Sequence, residues 1–292
     1  MPPVLRSNGP LFVILAAVLW GTGGTAQALA PGAEDPLSIG VLKIGIGGPA
    51  MLLFAAFSGG LTRGSGAYAG WRPLPVLACA VLVASYQVLF FTGITLTGVA
   101  LGTISAIGSL PVWAGLIDLL FGKRPDARWL GATALAIAGS VLLIGSGGSV
   151  SVDPRGVLLC IASGGGLVVF TAIAKGLLQE RPHSVVMGVT FSLGAVLLSP
   201  TLLFSDPGWV LSPTGLAVAL ELGLAATALA YILFASGLSK VSVSTAATLT
   251  LAEPLTAGLL GILVLGERLT PVAVAGMGLL LVGLLLATVR RG

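Results

Sequence analysis

Charge is scarce in this chain: 292 residues carry 14 Lys and Arg and 10 Asp and Glu. A water-soluble globule of that size could not cover its surface with so few. Histidine and cysteine are scarcer still, with one His and two Cys. That excludes a zinc cluster and a disulfide framework. Cys79 and Cys160 both lie in apolar runs and read as packed thiols. No basic tract exists to bind nucleic acid, because the net charge of +4 is scattered over loops. Nor is any polar stretch long enough for a soluble domain.

What the chain has instead is apolar length. It is 56% hydrophobic, with mean hydropathy +1.08. Runs of about 20 apolar residues recur, each long enough to cross the hydrocarbon core. Ten spans are predicted: Pro10–Leu29, Leu37–Gly60, Leu74–Leu96, Gly98–Phe121, Trp129–Gly147, Gly156–Gln179, Ser184–Phe204, Thr214–Ser239, Val241–Leu265 and Pro271–Val289. The fold class is therefore an all-α polytopic membrane protein. The first run also resembles a signal peptide, with Arg6, an apolar core and Ala28-Leu29-Ala30. Cleavage there would leave nine spans and break the repeat described next, so it is read as a span.

Ten spans divide into two sets of five, residues 10–147 and 156–289. Tyr86–Gly93 reads YQVLFFTG in span 3, and Tyr231–Gly237 reads YILFASG in span 8. Span 4 carries TISAIGSLPVWAGLIDLLFGKRP, and span 9 carries TLTLAEPLTAGLLGILVLGERLTP. Pro111 answers Pro254, and Gly131 and Gly139 answer Gly276 and Gly283. An odd number of spans per repeat inserts the halves in opposite directions. Such inverted repeats place a binding site near the midplane between them.

The Lys and Arg distribution sets the orientation. With the N-terminus inside, Arg6, Arg63, Arg72, Lys123, Arg124, Arg128, Arg181, Lys240, Arg290 and Arg291 fall inside. Arg155 and Arg268 fall outside, as do Glu34, Asp35, Asp153, Asp206 and Glu267. Both termini are expected in the cytoplasm of a bacterial-type inner membrane. Trp71, Trp129 and Trp209 stand at span ends, as an aromatic belt requires.

Charges inside spans cost roughly 2.5–3.5 kcal/mol each at the helix centre. Asp118 and Lys175 lie close to the inner ends and can snorkel. Lys43 and Glu221 lie further in from the outer side, where they either pair across helices or line a vestibule. Glu253 is deepest and precedes Pro254. It reads either as a coupling or ammonium-binding carboxylate or as part of a bend, since proline removes a backbone donor. The bend is the preferred reading, with helix breaks expected at Pro111 and Pro254. Trp20, Tyr86, Gln87, Ser105, Ser109, Trp113, Phe170, Tyr231, Ser244 and Thr248 are the candidate lining of a cavity. Ser105, Ser109 and Trp113 share one helical face. Each Ser or Thr alone is equally explained by helix packing. The 43 glycines read mainly as close packing, Gly98 and Gly102 among them. Gly21, Gly23 and Gly24 in span 1 and Gly164, Gly165 and Gly166 in span 6 also admit a looser, bending backbone.

The pattern E-P-L…L-G-E-R-L…G…G from Glu253 to Gly283, with its weaker copy in the first half, resembles the drug/metabolite transporter superfamily, in its EamA branch. Trp20-Gly21 is similar to that family's W-G signature. The first-half copy lacks the glutamate. The resemblance implies a ten-helix carrier, many such carriers being exporters of amino acids and related metabolites, and is closest to YddG-type aromatic amino acid exporters. A zwitterionic amino acid suits the residues: hydroxyls and Gln87 for the carboxylate, carbonyls freed near Pro111 and Pro254 for the ammonium, aromatics for the side chain. The rival within transport is a broad drug or metabolite exporter, for which the deep acid would be essential. A sugar phosphate fits less well, since only Lys43 offers deep positive charge. A channel would show neither saturation nor counterflow. No catalytic triad, metal cluster or cofactor motif supports an enzyme, and no extramembrane domain supports a receptor. A monomer-sized carrier with lipid and one small molecule as partners is expected. The orientation predicts that a fluorescent protein fused to the C-terminus folds and fluoresces, whereas alkaline phosphatase fused there stays inactive. An active phosphatase fusion would reverse the assignment.

Overall fold

The computed structural model describes residues 8–29, 36–62, 64–68, 70–122, 125–145, 153–266 and 270–288. Among them the chain forms ten helical spans and no strand. They are α1 (Gly9–Ala28), α2 (Pro36–Phe57), α3 (Pro73–Thr97), α4 (Val99–Leu120), α5 (Ala127–Gly145), α6 (Pro154–Leu177), α7 (His183–Leu198), α8 (Pro213–Leu238), α9 (Val243–Leu263) and α10 (Pro271–Thr288). Eight are long and apolar enough to cross a bilayer. In α5 and α10 the apolar stretches are shorter, Ala127–Leu143 and Pro271–Ala287.

Seven helix starts fall a residue or two earlier than expected, α4 and α9 start one and two residues later at Val99 and Val243, and α10 starts at Pro271 as expected. Five spans begin at proline, namely Pro36, Pro73, Pro154, Pro213 and Pro271. The first N–H of a helix has no intrahelical acceptor, so proline costs nothing there and its fixed φ favours the first turn. Asp153, Ser212 and Ser242 then cap α6, α8 and α9 by accepting from Arg155, Gly215 and Thr245 N–H. At Gly98 the chain turns from α3 into α4 with φ +86°. That conformation suits glycine, so Gly98 serves the turn. Gly102 meets the packing expectation, against Ile94 and Cys160.

The helix pairings are mirrored between the halves. α3 packs on α6 and α8 on α1; α4 packs on α6 and α9 on α1; α3 packs on α7 and α8 on α2. The pairs α2–α7 and α5–α10 map onto themselves. Shifting every helix number by five reproduces the set, as a two-fold axis in the membrane plane requires.

Within the described spans the backbone is irregular in three places. Pro200 sits in a 3-10 turn, Ser199–Phe204, that ends the α7 span. Glu221–Leu229 of α8 is π-helical, and the Thr227 hydroxyl donates to the Leu222 carbonyl five residues back at 2.7 Å. In α9 the helix breaks at Thr250 and Leu251 and resumes at Ala252. Leu251 N–H donates to Thr248 and Glu253 N–H to Thr250, both tightened i−3 bonds. Pro254 thus lies in the first turn of the resumed helix, where its missing N–H is tolerated. Pro111 corrects the matching expectation: α4 runs unbroken through it. Pro49 is likewise carried inside α2. Gly164–Gly166 do not loosen α6, which is continuous. A Cβ at Gly164 would lie 2.5 Å from the Ala106 carbonyl oxygen, and one at Gly165 3.0 Å from Trp113. Both glycines let α4 approach.

Trp209 is buried, not in a belt, and its Nε1 donates to Ser38 Oγ at 2.9 Å. Lys175 does not snorkel to solvent; its Nζ donates to the Leu238 and Val241 carbonyls. Lys123 and Arg124, the expected partners of Asp118, lie outside the described residues. So do Arg6, Arg63, Arg290, Arg291, Glu34, Asp35, Glu267, Arg268 and Ala30.

The α5–α10 pair is a backbone-to-backbone contact. A Cβ at Gly276 would lie 2.7 Å from the Gly139 carbonyl oxygen, and one at Gly283 2.7 Å from that of Ala132. Gly278 has nothing within 4 Å of that position. Overpacking costs about 1–3 kcal/mol. Gly276→Val should therefore lower the melting temperature in detergent by several degrees while Gly278→Val leaves it unchanged. Equal melting temperatures would show that this seam does not stabilise the bundle.

Candidate functional site

A cavity of about 990 Å³ lies between the two halves. That is the upper end of the roughly 300–1,000 Å³ typical of small-molecule sites. Its rim residues Gly24, Ala28 and Thr270 are exposed, whereas Thr171, Phe234 and Ala247 at the far end are buried. The cavity therefore opens where α1 ends and α10 begins, and is closed where α8 joins α9.

Two aromatic walls face each other. Trp20 from α1 lies 5.0 Å from Tyr231 and 5.3 Å from Phe234, both on α8. Opposite them α3 presents Tyr86 stacked on Phe90 at 5.5 Å. Tyr86 and Tyr231 are equivalent in the repeat, so each half supplies one phenol. Two ionisable chains of opposite sign also line the cavity, Lys43 from α2 and Glu253 from α9. They act on each other electrostatically. The ion pair found among the described residues, Arg181–Glu180, involves neither. Gly21 brings α1 against the break in α9: a Cβ there would lie 2.7 Å from the Glu253 carbonyl oxygen.

Of the residues expected from sequence, Trp20, Tyr86, Tyr231, Lys43, Glu253 and Pro254 meet in this cavity. The others are placed elsewhere. Gln87 is buried toward Gly40 of α2. Ser105 and Ser109 donate to the Leu101 and Ala106 carbonyls of their own helix, and Trp113 Nε1 donates to Ile161 of α6. Phe170 is a second layer behind the wall, 6.5 Å from Tyr231. Ser244 bonds Ser242, and Thr248 bonds Thr133 of α5. Glu221 accepts from the Thr22 hydroxyl and does not line the cavity. Pro111 is buried outside it.

The missed lining residues are neighbours of the expected ones. In α4 they are Thr103, Ile107 and Leu110 rather than Ser105, Ser109 and Trp113; in α9 Thr250 rather than Thr248; in α6 Thr171 rather than Phe170. Thr103, Ile107 and Leu110 follow an i, i+4, i+7 stripe of their own. Polarity favoured the serine face, yet that face packs on α6.

The two copies of this architecture correspond to a known family, the EamA-like transporter family, which matches residues 7–145 and 154–289. The chain belongs to that family. As an EamA transporter it is similar to the uncharacterized transporter YwfM of Bacillus subtilis, 45% identical over 94% of this chain and 92% of the relative. It is 29% identical to the threonine/homoserine exporter RhtA of Escherichia coli, over 95% of this chain and 92% of the relative. A solved crystal structure superposes with TM-score 0.82 over 97% of both chains at 23% identity, which shares the fold. The family, the apolar helices and the mirrored packing make this an integral membrane transporter of two inverted five-helix repeats.

The closed end of the transporter is held by cations. Arg181 Nη2 donates to the Gly70 carbonyl at 2.6 Å, and its guanidinium lies 4.7 Å over Trp71. Lys240 lies 5.2 Å over Phe12. Both contacts join the second half to the first. Hydrogen bonds of charged groups contribute about 1.5–3 kcal/mol. Arg181→Met should therefore raise the reactivity of a cysteine placed at the floor (Ala247→Cys, with Cys79→Ala and Cys160→Ala) toward maleimide from that side, about tenfold. Unchanged reactivity would show that Arg181 does not hold this end shut.

Proposed function

We propose that this transporter exports amino acids, apolar or aromatic and related small ones, by alternating access. The observation that carries the reading is the cavity itself. It lies between inverted halves, is open at one end and closed at the other, and is walled by Trp20, Tyr86 and Tyr231 with one cation and one anion. Such a site holds a ligand near the midplane while the halves rock about it. Rings suit an apolar side chain, and the charges suit the ends of a zwitterion. The likeness to a threonine/homoserine exporter supports the substrate class. In the orientation that the Lys and Arg distribution implies, the mouth faces outward and the Arg181 contacts close the cytoplasmic end. The predominantly apolar lining also supports a second reading, a broad exporter of lipophilic cations, which would rely on Glu253 alone.

Counterflow in proteoliposomes separates the two. Vesicles loaded with unlabelled amino acids should take up labelled phenylalanine, threonine or methionine saturably. Trp20→Ala should raise KM for phenylalanine about tenfold, the scale of one lost aromatic pair. No uptake of any amino acid, with uptake of a lipophilic cation that Glu253→Gln abolishes, would establish the second reading instead.

A further inference from the structure

Lys43 and Glu253 are placed unlike the other charges inside the bundle. Lys175 is spent on two carbonyls, and Glu221 accepts from the Thr22 hydroxyl. Lys43 and Glu253 instead both reach the cavity surface. No ion pair or side-chain hydrogen bond ties either of them to another described residue. They come from opposite halves, α2 of the first and α9 of the second. Both line the same cavity without closing into a contact pair, and Glu221 stands with Glu253 among the carboxylates that act on Lys43. Leaving a charge uncompensated in low dielectric is costly, and contact with an opposite charge offsets part of that cost.

We infer that Lys43 and Glu253 are the two poles of the substrate site, Lys43 binding the carboxylate and Glu253 the ammonium of one α-amino acid that spans the halves. The inference rests on the reading as an amino acid carrier and adds which residues select the zwitterion. Trp20, whose ring lines the same cavity, packs the apolar side of the site against Tyr231 and Phe234. Gln87 and the serines of α4, which face away from the cavity, have no part in holding the carboxylate.

A ligand bridging two poles on separate halves is held fully only when both ends are charged. An amine lacking the carboxylate, or an acid lacking the amine, fills one pole and leaves the other bare. Recognition of the intact zwitterion should therefore exceed that of either fragment by at least about tenfold, since a charged hydrogen bond contributes about 1.5–3 kcal/mol.

The test is competition against labelled phenylalanine counterflow in proteoliposomes holding the full chain. The competitors are unlabelled phenylalanine, phenethylamine and 3-phenylpropionate. Wild type should be inhibited at least tenfold better by phenylalanine than by either fragment. Lys43→Met should lose the preference over the amine but keep the preference over the acid, and Glu253→Gln should do the reverse. Lys43→Arg should retain the wild-type order. Equal inhibition of wild type by phenethylamine and phenylalanine would overturn the inference without any variant. So would an unchanged order in Lys43→Met. If wild type counterflows no amino acid at all, the carrier reading fails first and this inference falls with it.

Discussion

Every backbone N–H and C=O in the bilayer core must find a partner within the protein, and the architecture follows from that constraint. Regular helices satisfy it unaided. Irregular backbone is tolerated only where neighbouring protein or a cavity covers it. The two irregular stretches at mid-depth, the π segment of α8 and the break in α9, both flank the cavity. Glycine makes the rest of the packing possible. At Gly139 with Gly276, and at Gly164 with Ala106, two backbones touch directly. Lipid supplies no hydrophobic drive between helices, so such close van der Waals contact has to.

The same economy of polar groups explains how the charges divide. At the closed end, Lys175, Arg181 and Lys240 bind carbonyls or ring faces. The Lys175 contact lies within the second half, whereas those of Arg181 and Lys240 cross to the first and hold one arrangement of the halves. Lys43 and Glu253 are left to face the cavity. The cations of the gate are thus fixed, and the charges of the site are left available. A carrier needs both, because closing one end must not consume the groups that bind.

Sequence carried the fold further than the site. Apolar runs gave the ten spans, and the paired Tyr86 and Tyr231, with the glycines of spans 5 and 10, gave the repeat. Four starts moved back to Pro36, Pro73, Pro154 and Pro213, because an apolar run does not show that proline is favoured at the first helical position. The break at Pro254 was foreseen but falls at Thr250 and Leu251, since proline is accommodated just after a disrupted turn. Pro111 shows the converse: one missing donor does not end the helix, and α4 continues through it. Within the site, ring size and charge were legible, so Trp20, Tyr86, Tyr231, Lys43 and Glu253 were found. Hydroxyl-bearing faces were not, because in apolar helices Ser and Thr serve packing as readily as binding. Ser109 with Gly164 and Thr248 with Thr133 are examples.

The π segment of α8 has a further consequence. Its bonds run five residues back, so it holds one residue more than an α-helix of the same rise. Everything after it, Tyr231 and Phe234 included, is turned by roughly 100° relative to an uninterrupted α-helix. Were the extra residue to migrate along the helix, the residues it passed would each change face in turn. The aromatic wall is in that sense a setting of helical phase, and the Thr227 hydroxyl bonded to Leu222 lies inside the segment that sets it.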